Sequence, residues 1–163
     1  MTDLTIRAFV ESDWPAVWDL FRQVAAAGDA FAYDETTPEE VARKLWVEPP
    51  AAAFVAELGG AFAGTYYVRP NQPARGRHVA NAGYMVGAEF RGRGLASELC
   101  EHSLATARRL GYAAVQFNFV VASNAAAVRV WARHGFAVIG RLPRAFRHAT
   151  LGFVDVLVMH REL

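Results

Sequence analysis

Four sets of residues in this chain have types and spacing suited to chemistry. The first is Arg91-Gly92-Arg93-Gly94, set between an apolar run and a long helical pattern. Its two glycines expose backbone N–H groups at the start of a helix. The partial positive charge of that helix end favours an anion, above all a pyrophosphate. The second is the pair Asn81 and Asn118, which lie inside strand-like runs where asparagine is disfavoured. A buried amide needs partners. A bound carboxylate, carbonyl or amide is one source, and a bulge or a backbone group is the other. The third is Asn124, at the head of a second helical run, which suits an N-cap as well as a ligand contact. The fourth is a loop holding Phe31, Tyr33, Asp34 and Glu35.

The elements that must position these residues follow from periodicity. Residues 4–9 alternate apolar and polar as a half-buried strand does. Asp13 is placed to cap a helix carrying Val17, Leu20, Phe21 and Val24 on one side, with Gly28 as its stop. Thr37 is placed to cap a second helix with Pro38 at its first position, running to Trp46. Residues 53–58, a Gly59-Gly60 turn and residues 62–69 read as a β-hairpin, and residues 79–86 as the next strand. A helix follows from Leu95 to near Leu110. Residues 113–121 form a strand with Val115, Phe117, Phe119 and Val121 on one face and Gln116 and Asn118 on the other. A helix over 125–134 closes at Gly135, residues 136–140 are a strand, residues 143–152 an excursion, and residues 154–160 the last strand.

A length of 163 residues fits one domain, 1–163, with a substantial core, and 53% hydrophobic with 20% charged residues is a soluble balance. The net charge of +1 makes no global case for nucleic acid or a membrane surface. Cys100 is the only cysteine, so there is no intrachain disulfide and no cysteine-based zinc site. It falls on the apolar side of its helix. His102, His134 and His148 read as helix-surface or loop residues without metal-ligand spacing, and no metal is expected. The first residues lack a basic start and a signal-like apolar run. Residues 51–68 are apolar but broken by Glu57 and three glycines. A cytoplasmic location is therefore expected.

Two motifs stand in order along the chain. Arg91-Gly92-Arg93-Gly94-Leu95-Ala96 resembles the acyl-CoA motif of the GCN5-related N-acetyltransferase (GNAT) superfamily, which reads Gln or Arg, two residues, Gly, one residue, Gly or Ala. Asn124 through Phe136 resembles that superfamily's second motif, Asn-x-x-Ala-x-x-x-Tyr-x-x-x-Gly-Phe, with Trp131 at the tyrosine position. A P-loop is excluded, because no Gly-Lys-Ser/Thr follows the glycines.

The resemblance implies an α/β fold: a mixed, mostly antiparallel sheet flanked by helices and splayed between strand 79–86 and strand 113–121. It implies acetyl-CoA as cosubstrate. Backbone amides of Arg91, Gly92, Arg93, Gly94, Leu95 and Ala96 hold its pyrophosphate, Met85 and Val86 pair with the pantetheine arm, and Asn124 and Trp131 sit near the sulfur. The implied activity is N-acetyl transfer to a small amine. The charge balance points to no nucleic-acid or membrane partner, and the C-terminal strands offer a surface on which a homodimer could form. The tyrosine that usually receives the leaving thiolate is absent; indole donates one hydrogen bond but supplies no proton near neutral pH. A weaker similarity runs through Asn81, Asn118, Asn124, Trp131 and residues 139–146 to a branch that includes fungal acetyltransferases of proline analogues such as azetidine-2-carboxylate. It implies an amino or imino acid acceptor touched by Asn81 and Asn118, with catalytic roles for Asn118 and Asn124. Tyr33 belongs to the loop that covers the acceptor in this superfamily.

No base is evident. Glu57 through water, Glu89, Tyr33, Asp34, Glu35, His78 and Tyr66, Tyr67 or Tyr84 are the candidates. The alternative reading is a non-catalytic acyl-CoA-binding or regulatory module. A basic protein tail as acceptor finds no acidic stripe to receive it.

Overall fold

The computed structural model describes residues 3–163. Its strands are β1 (Leu4–Ala8), β2 (Ala52–Leu58), β3 (Ala61–Pro70), β4 (Val79–Val86), β5 (Ala114–Val121), β6 (Ala137–His148) and β7 (Gly152–Glu162). They form one sheet in the order β1-β2-β3-β4-β5-β7-β6. Every neighbouring pair is antiparallel except β4 and β5. The helices are α1 (Trp14–Ala27), α2 (Glu39–Trp46), α3 (Leu95–Arg109) and α4 (Ala125–Arg133). This is the mixed, mostly antiparallel sheet expected from the motifs.

Alternation along the strands divides the core in two. Val17, Leu20, Phe21 and Trp46 of α1 and α2 pack with Val55, Tyr67 and Met85 on one face. Leu95, Leu99, Cys100 and Leu104 of α3, with Trp131 of α4, pack with Tyr66, Val115 and Phe117 on the other. Each such side chain, once buried, contributes about 1.5–3 kcal/mol.

The feature that matters for function lies between β4 and β5. They pair only at Val79↔Ala114 and Ala80↔Val115. One residue further on, the Asn81 side chain takes the place of the ladder: its Nδ2 donates to the Gln116 carbonyl at 3.0 Å, and its Oδ1 accepts from the Tyr67 hydroxyl at 3.1 Å. Beyond that bridge the strands diverge, and β4 has no strand partner on its β5 side.

The structure departs from the sequence reading in four places. Residues 143–148 are not an excursion: β6 runs through them, with register shifts at Val138/Gly140 and Leu142/Phe146. Pro143 is tolerated because β6 is an edge strand. Asp155 anchors the shifted segment, accepting from Arg141 at 2.6 Å and from the Arg144 N–H at 2.9 Å. In β5 a third shift, between Phe117 and Val120, breaks the alternation. Val120 joins Phe117 on the α3 side, while Val121 packs with Phe146 and Val156 on the other. Asp13 and Thr37 do not cap with their side chains. Thr37 instead accepts from the Asp34 N–H, and Pro38 is itself the cap residue of α2. Finally, His102 is half-buried, its Nδ1 2.6 Å from the Tyr66 hydroxyl, and burial lowers its pKa.

Asp13 has a different task. Its carboxylate accepts two bonds from Arg7, both 2.8 Å, and one from the Val10 N–H at 2.8 Å. Arg7 also binds Glu57 at 2.6 Å, which occupies the glutamate proposed to reach the cleft. The Arg7 bonds hold the Asp13 carboxyl below the usual carboxylate range. Stability from this pair is present above the unfolded-state pKa, near 4, and is lost as the pH falls through the lower folded-state value. Urea unfolding of Asp13→Asn should therefore give a loss of about 1.5–3 kcal/mol at pH 7. The gap from wild type should close in acid.

Candidate active site

A cavity of about 860 Å³ runs through the β4–β5 split. At one end it meets the head of α3, at Arg91 and Ala96. Its middle is walled by Met85 and Val86 of β4, Phe117 of β5, and Asn124 and Trp131 of α4. At the other end lie Asp29, Phe31 and Tyr33 of the α1–α2 connection, with Tyr67, Asn81 and His148.

At the α3 end, Gly92 and Gly94 have φ of +74° and +81°. A Cβ on either would meet nothing within 4 Å, so the glycines answer to backbone conformation and not to crowding. Among the described residues, none of the N–H groups of Gly92 through Ala96 has an acceptor; the first helical bonds are Ser97 N–H and Glu98 N–H to the Gly94 carbonyl. Five successive free amides at a helix N-terminus fit an anion with several oxygens, as a pyrophosphate has. Behind them, Ser97 Oγ and His134 Nε2 lie 2.7 Å apart, and Arg161 binds the His134 carbonyl. The heads and tails of α3, α4 and β7 are thereby fastened together.

In the middle, Trp131 is 8% exposed and packs against Tyr84 and Phe117 at ring separations of 4.8 and 5.1 Å. Its indole N–H has no acceptor among the described residues, yet it is not sealed from the cavity. Asn124 caps α4, its Oδ1 accepting from the Ala127 N–H at 3.2 Å, and it also lines the cavity. The two readings of Asn124 are compatible. Leu95 and Met85 are 1% and 2% exposed, so what they offer a ligand is chiefly backbone.

At the far end, both strand asparagines line the cavity and both already have protein partners. Asn81 bridges Tyr67 and Gln116. Asn118 is exposed, accepts from Gln116 Nε2 at 3.0 Å and donates to Asn71 at 2.6 Å. Each keeps one N–H free for a ligand. Tyr33 packs on Phe21 at 5.6 Å and lines the same space. The tyrosine candidates for a base fare differently. Burial pushes the Tyr67 phenol up to about 12 and that of Tyr84 well above its ordinary value. Tyr84 is bonded to Ser103 at 2.7 Å, and the raised Tyr66 faces His102. None of these three is a phenolate near neutral pH. Asp34, Glu35, Glu57, Glu89 and His78 do not line the cavity.

Two residues that the sequence reading left out of the site do line it, one of them a histidine read there as a helix-surface or loop residue. Asp29 is its one carboxylate, and His148 stands at the tip of the β6–β7 hairpin. Neither carries a local signal. They meet because the Ala149 N–H donates to the Gly28 carbonyl at 2.8 Å, docking the hairpin on the end of α1.

The acetyltransferase (GNAT) family model matches residues 14–136. The chain belongs to the GNAT acetyltransferase family. Across its full length it is similar to a GCN5-related N-acetyltransferase from Kribbella flavida: 42% identity, 99% of each chain covered and a TM-score of 0.94. It is 33% identical to N-acetyltransferase aca1 of Schizosaccharomyces pombe over 58% of this chain, a match that spans about half, 46%, of that protein. The fold also matches yncA of Salmonella typhimurium, solved with its cofactor acetyl-CoA, at a TM-score of 0.83, 22% identity and coverage of 99% and 94%. That neighbour carries acetyl-CoA on the same fold.

Proposed function

We propose that this GNAT protein is an acetyl-CoA-dependent N-acetyltransferase acting on a small amine, with amino and imino acids the leading acceptors. One observation carries the reading: the free amides of Gly92–Ala96 and the unpaired edge of β4 open into a single cavity that ends among Tyr33, Tyr67 and Asn81. The amides suit the pyrophosphate of the donor, and the β4 edge at Met85 and Val86 suits its amide-bearing arm, added as a strand would be. The neutral amine attacks the thioester carbonyl, the C–N bond forms, the nitrogen gives up a proton to water in the open cavity, and the C–S bond breaks to release the thiolate. Backbone N–H near Met85 and Val86 serves the oxyanion. Asn124 and the indole N–H of Trp131 serve the thiolate as hydrogen-bond donors, in place of a tyrosine proton.

The test is transfer from labelled acetyl-CoA to a panel of amines and amino acids, reading amide product and free thiol in equal amounts. Coenzyme A binding without transfer to any acceptor would overturn the enzymatic reading in favour of a binding or regulatory module, to which Trp131 at the tyrosine position otherwise points. Within the same assay, Asn124→Ala should cut turnover about tenfold, the worth of one hydrogen bond. Coenzyme A affinity should change little, and stability should fall by about 0.5–2 kcal/mol from the lost cap. Equal losses in turnover and affinity would reduce Asn124 to a cap.

A further inference from the structure

We propose that Asp29 and His148 form the acceptor-selecting end of the cavity, and that they select an amine that also bears a carboxylate. The inference rests on the acetyltransferase reading and deepens it. Asp29 and His148 are neighbours of a bonded pair: Gly28 precedes Asp29, Ala149 follows His148, and the Ala149 N–H donates to the Gly28 carbonyl at 2.8 Å. The junction is tight. Gly28 has a φ of +62°, and a Cβ there would lie 2.9 Å from the Ala149 Cβ. The hairpin tip is thus held against the end of α1, and both residues line the cavity.

Their chemistry is complementary. Asp29 is half-buried and has no hydrogen-bond or ion-pair partner among the described residues. An unpaired carboxylate in an apolar, aromatic pocket attracts an ammonium group. His148 is a fixed donor. Its Nδ1 accepts from the Thr150 and Leu151 N–H groups at 3.1 and 3.2 Å, so the ring proton sits on Nε2. Its ring stands edge-on to the buried Phe146, 6.2 Å between centroids. No acceptor for Nε2–H exists among the described residues. No arginine or lysine lines this end of the cavity, since Arg91 belongs to the α3 end. A substrate carboxylate here is therefore met by neutral donors: His148 Nε2–H and the free amide hydrogens of Asn81 and Asn118.

The experiment compares wild type with Asp29→Asn, His148→Asn and His148→Gln on matched acceptors, proline against pyrrolidine and phenylalanine against phenethylamine. Asparagine places its amide at the position of imidazole Nδ1 and so retains the turn bond while deleting the cavity donor. Glutamine reaches the position of Nε2 and should rescue. His148→Asn should raise the amino-acid KM at least tenfold and leave the decarboxylated amine within twofold; His148→Gln should recover most of that loss. Asp29→Asn should raise KM for both members of each pair, with the acetyl-CoA KM and the melting temperature near wild type throughout. An unchanged amino-acid KM in His148→Asn, or equal rises for acid and amine, overturns the assignment. Calorimetric titration of the amino acids into the coenzyme A complex reads the same selection without turnover. Binding lost in His148→Asn and regained in His148→Gln, with no transfer by wild type, would overturn the enzymatic reading and uphold this one.

Discussion

Gly94→Asp is expected to lower coenzyme A affinity at least about 100-fold, from charge opposed to a phosphate, while the protein still folds. Gly94 lies at φ +81° at the head of α3, among the free amides that suit a pyrophosphate. An aspartate tolerates the left-handed region better than most side chains, at a cost of about 1–2 kcal/mol. Its Cβ meets nothing within 4 Å, so no neighbour must move. What changes is charge: a carboxylate placed about 4 Å from a phosphate opposes it by roughly 4 kcal/mol at an effective dielectric of 20, less the part screened by salt. Gly94→Asn carries the same backbone strain without the charge and should retain most of the affinity. Calorimetry of coenzyme A binding with both variants checks the result. Equal losses would assign the effect to backbone strain, and unchanged affinity in Gly94→Asp would remove the α3 head from the donor site.

Trp131→Ala should be among the most destabilising substitutions in the site. Trp131 is 8% exposed and touches Tyr84 and Phe117, and Phe117 in turn stacks on Phe136 at 4.2 Å. Truncation leaves a cavity that these rings fill only in part, a loss of about 3–5 kcal/mol. The same cavity opens into the middle of the site, so transfer should fall even at temperatures where the variant remains folded. Trp131→Phe retains an aromatic body and loses the indole N–H. It should cost far less stability than alanine, with turnover reduced more than coenzyme A affinity. Denaturant midpoints and kcat measured on the three proteins separate packing from hydrogen bonding. A Phe variant with wild-type turnover would leave the thiolate to Asn124 and backbone donors alone.

The asparagines divide what was legible from what was not. Asn124 could be read as an N-cap because capping is decided within four residues, and it does cap α4. Asn81 and Asn118 could be recognised as misfits in strands, but not assigned partners. Tyr67 and the Gln116 carbonyl, which hold Asn81, and Asn71, which holds Asn118, come from other strands and loops; only the Gln116 amide, which donates to Asn118, is local. Asn81 holds the point where β4 and β5 part, a role only the pairing register reveals. The β5 facing failed for a similar reason. A register shift against β7 reverses the alternation after Phe117, and no local pattern announces it.

The sequence by itself determined the family and the glycine turn at the head of α3. Glycines with positive φ at a helix head, and two motifs in fixed order, are local facts that any fold containing them must respect. The tertiary structure alone decided which residues close the far end of the cavity. Asp29 follows a helix stop and His148 sits in a strand that appeared to be an excursion. They become neighbours only because Ala149 docks on Gly28. Local chemistry is written in adjacent residues, whereas a pocket built by two distant segments depends on the contacts that bring them together.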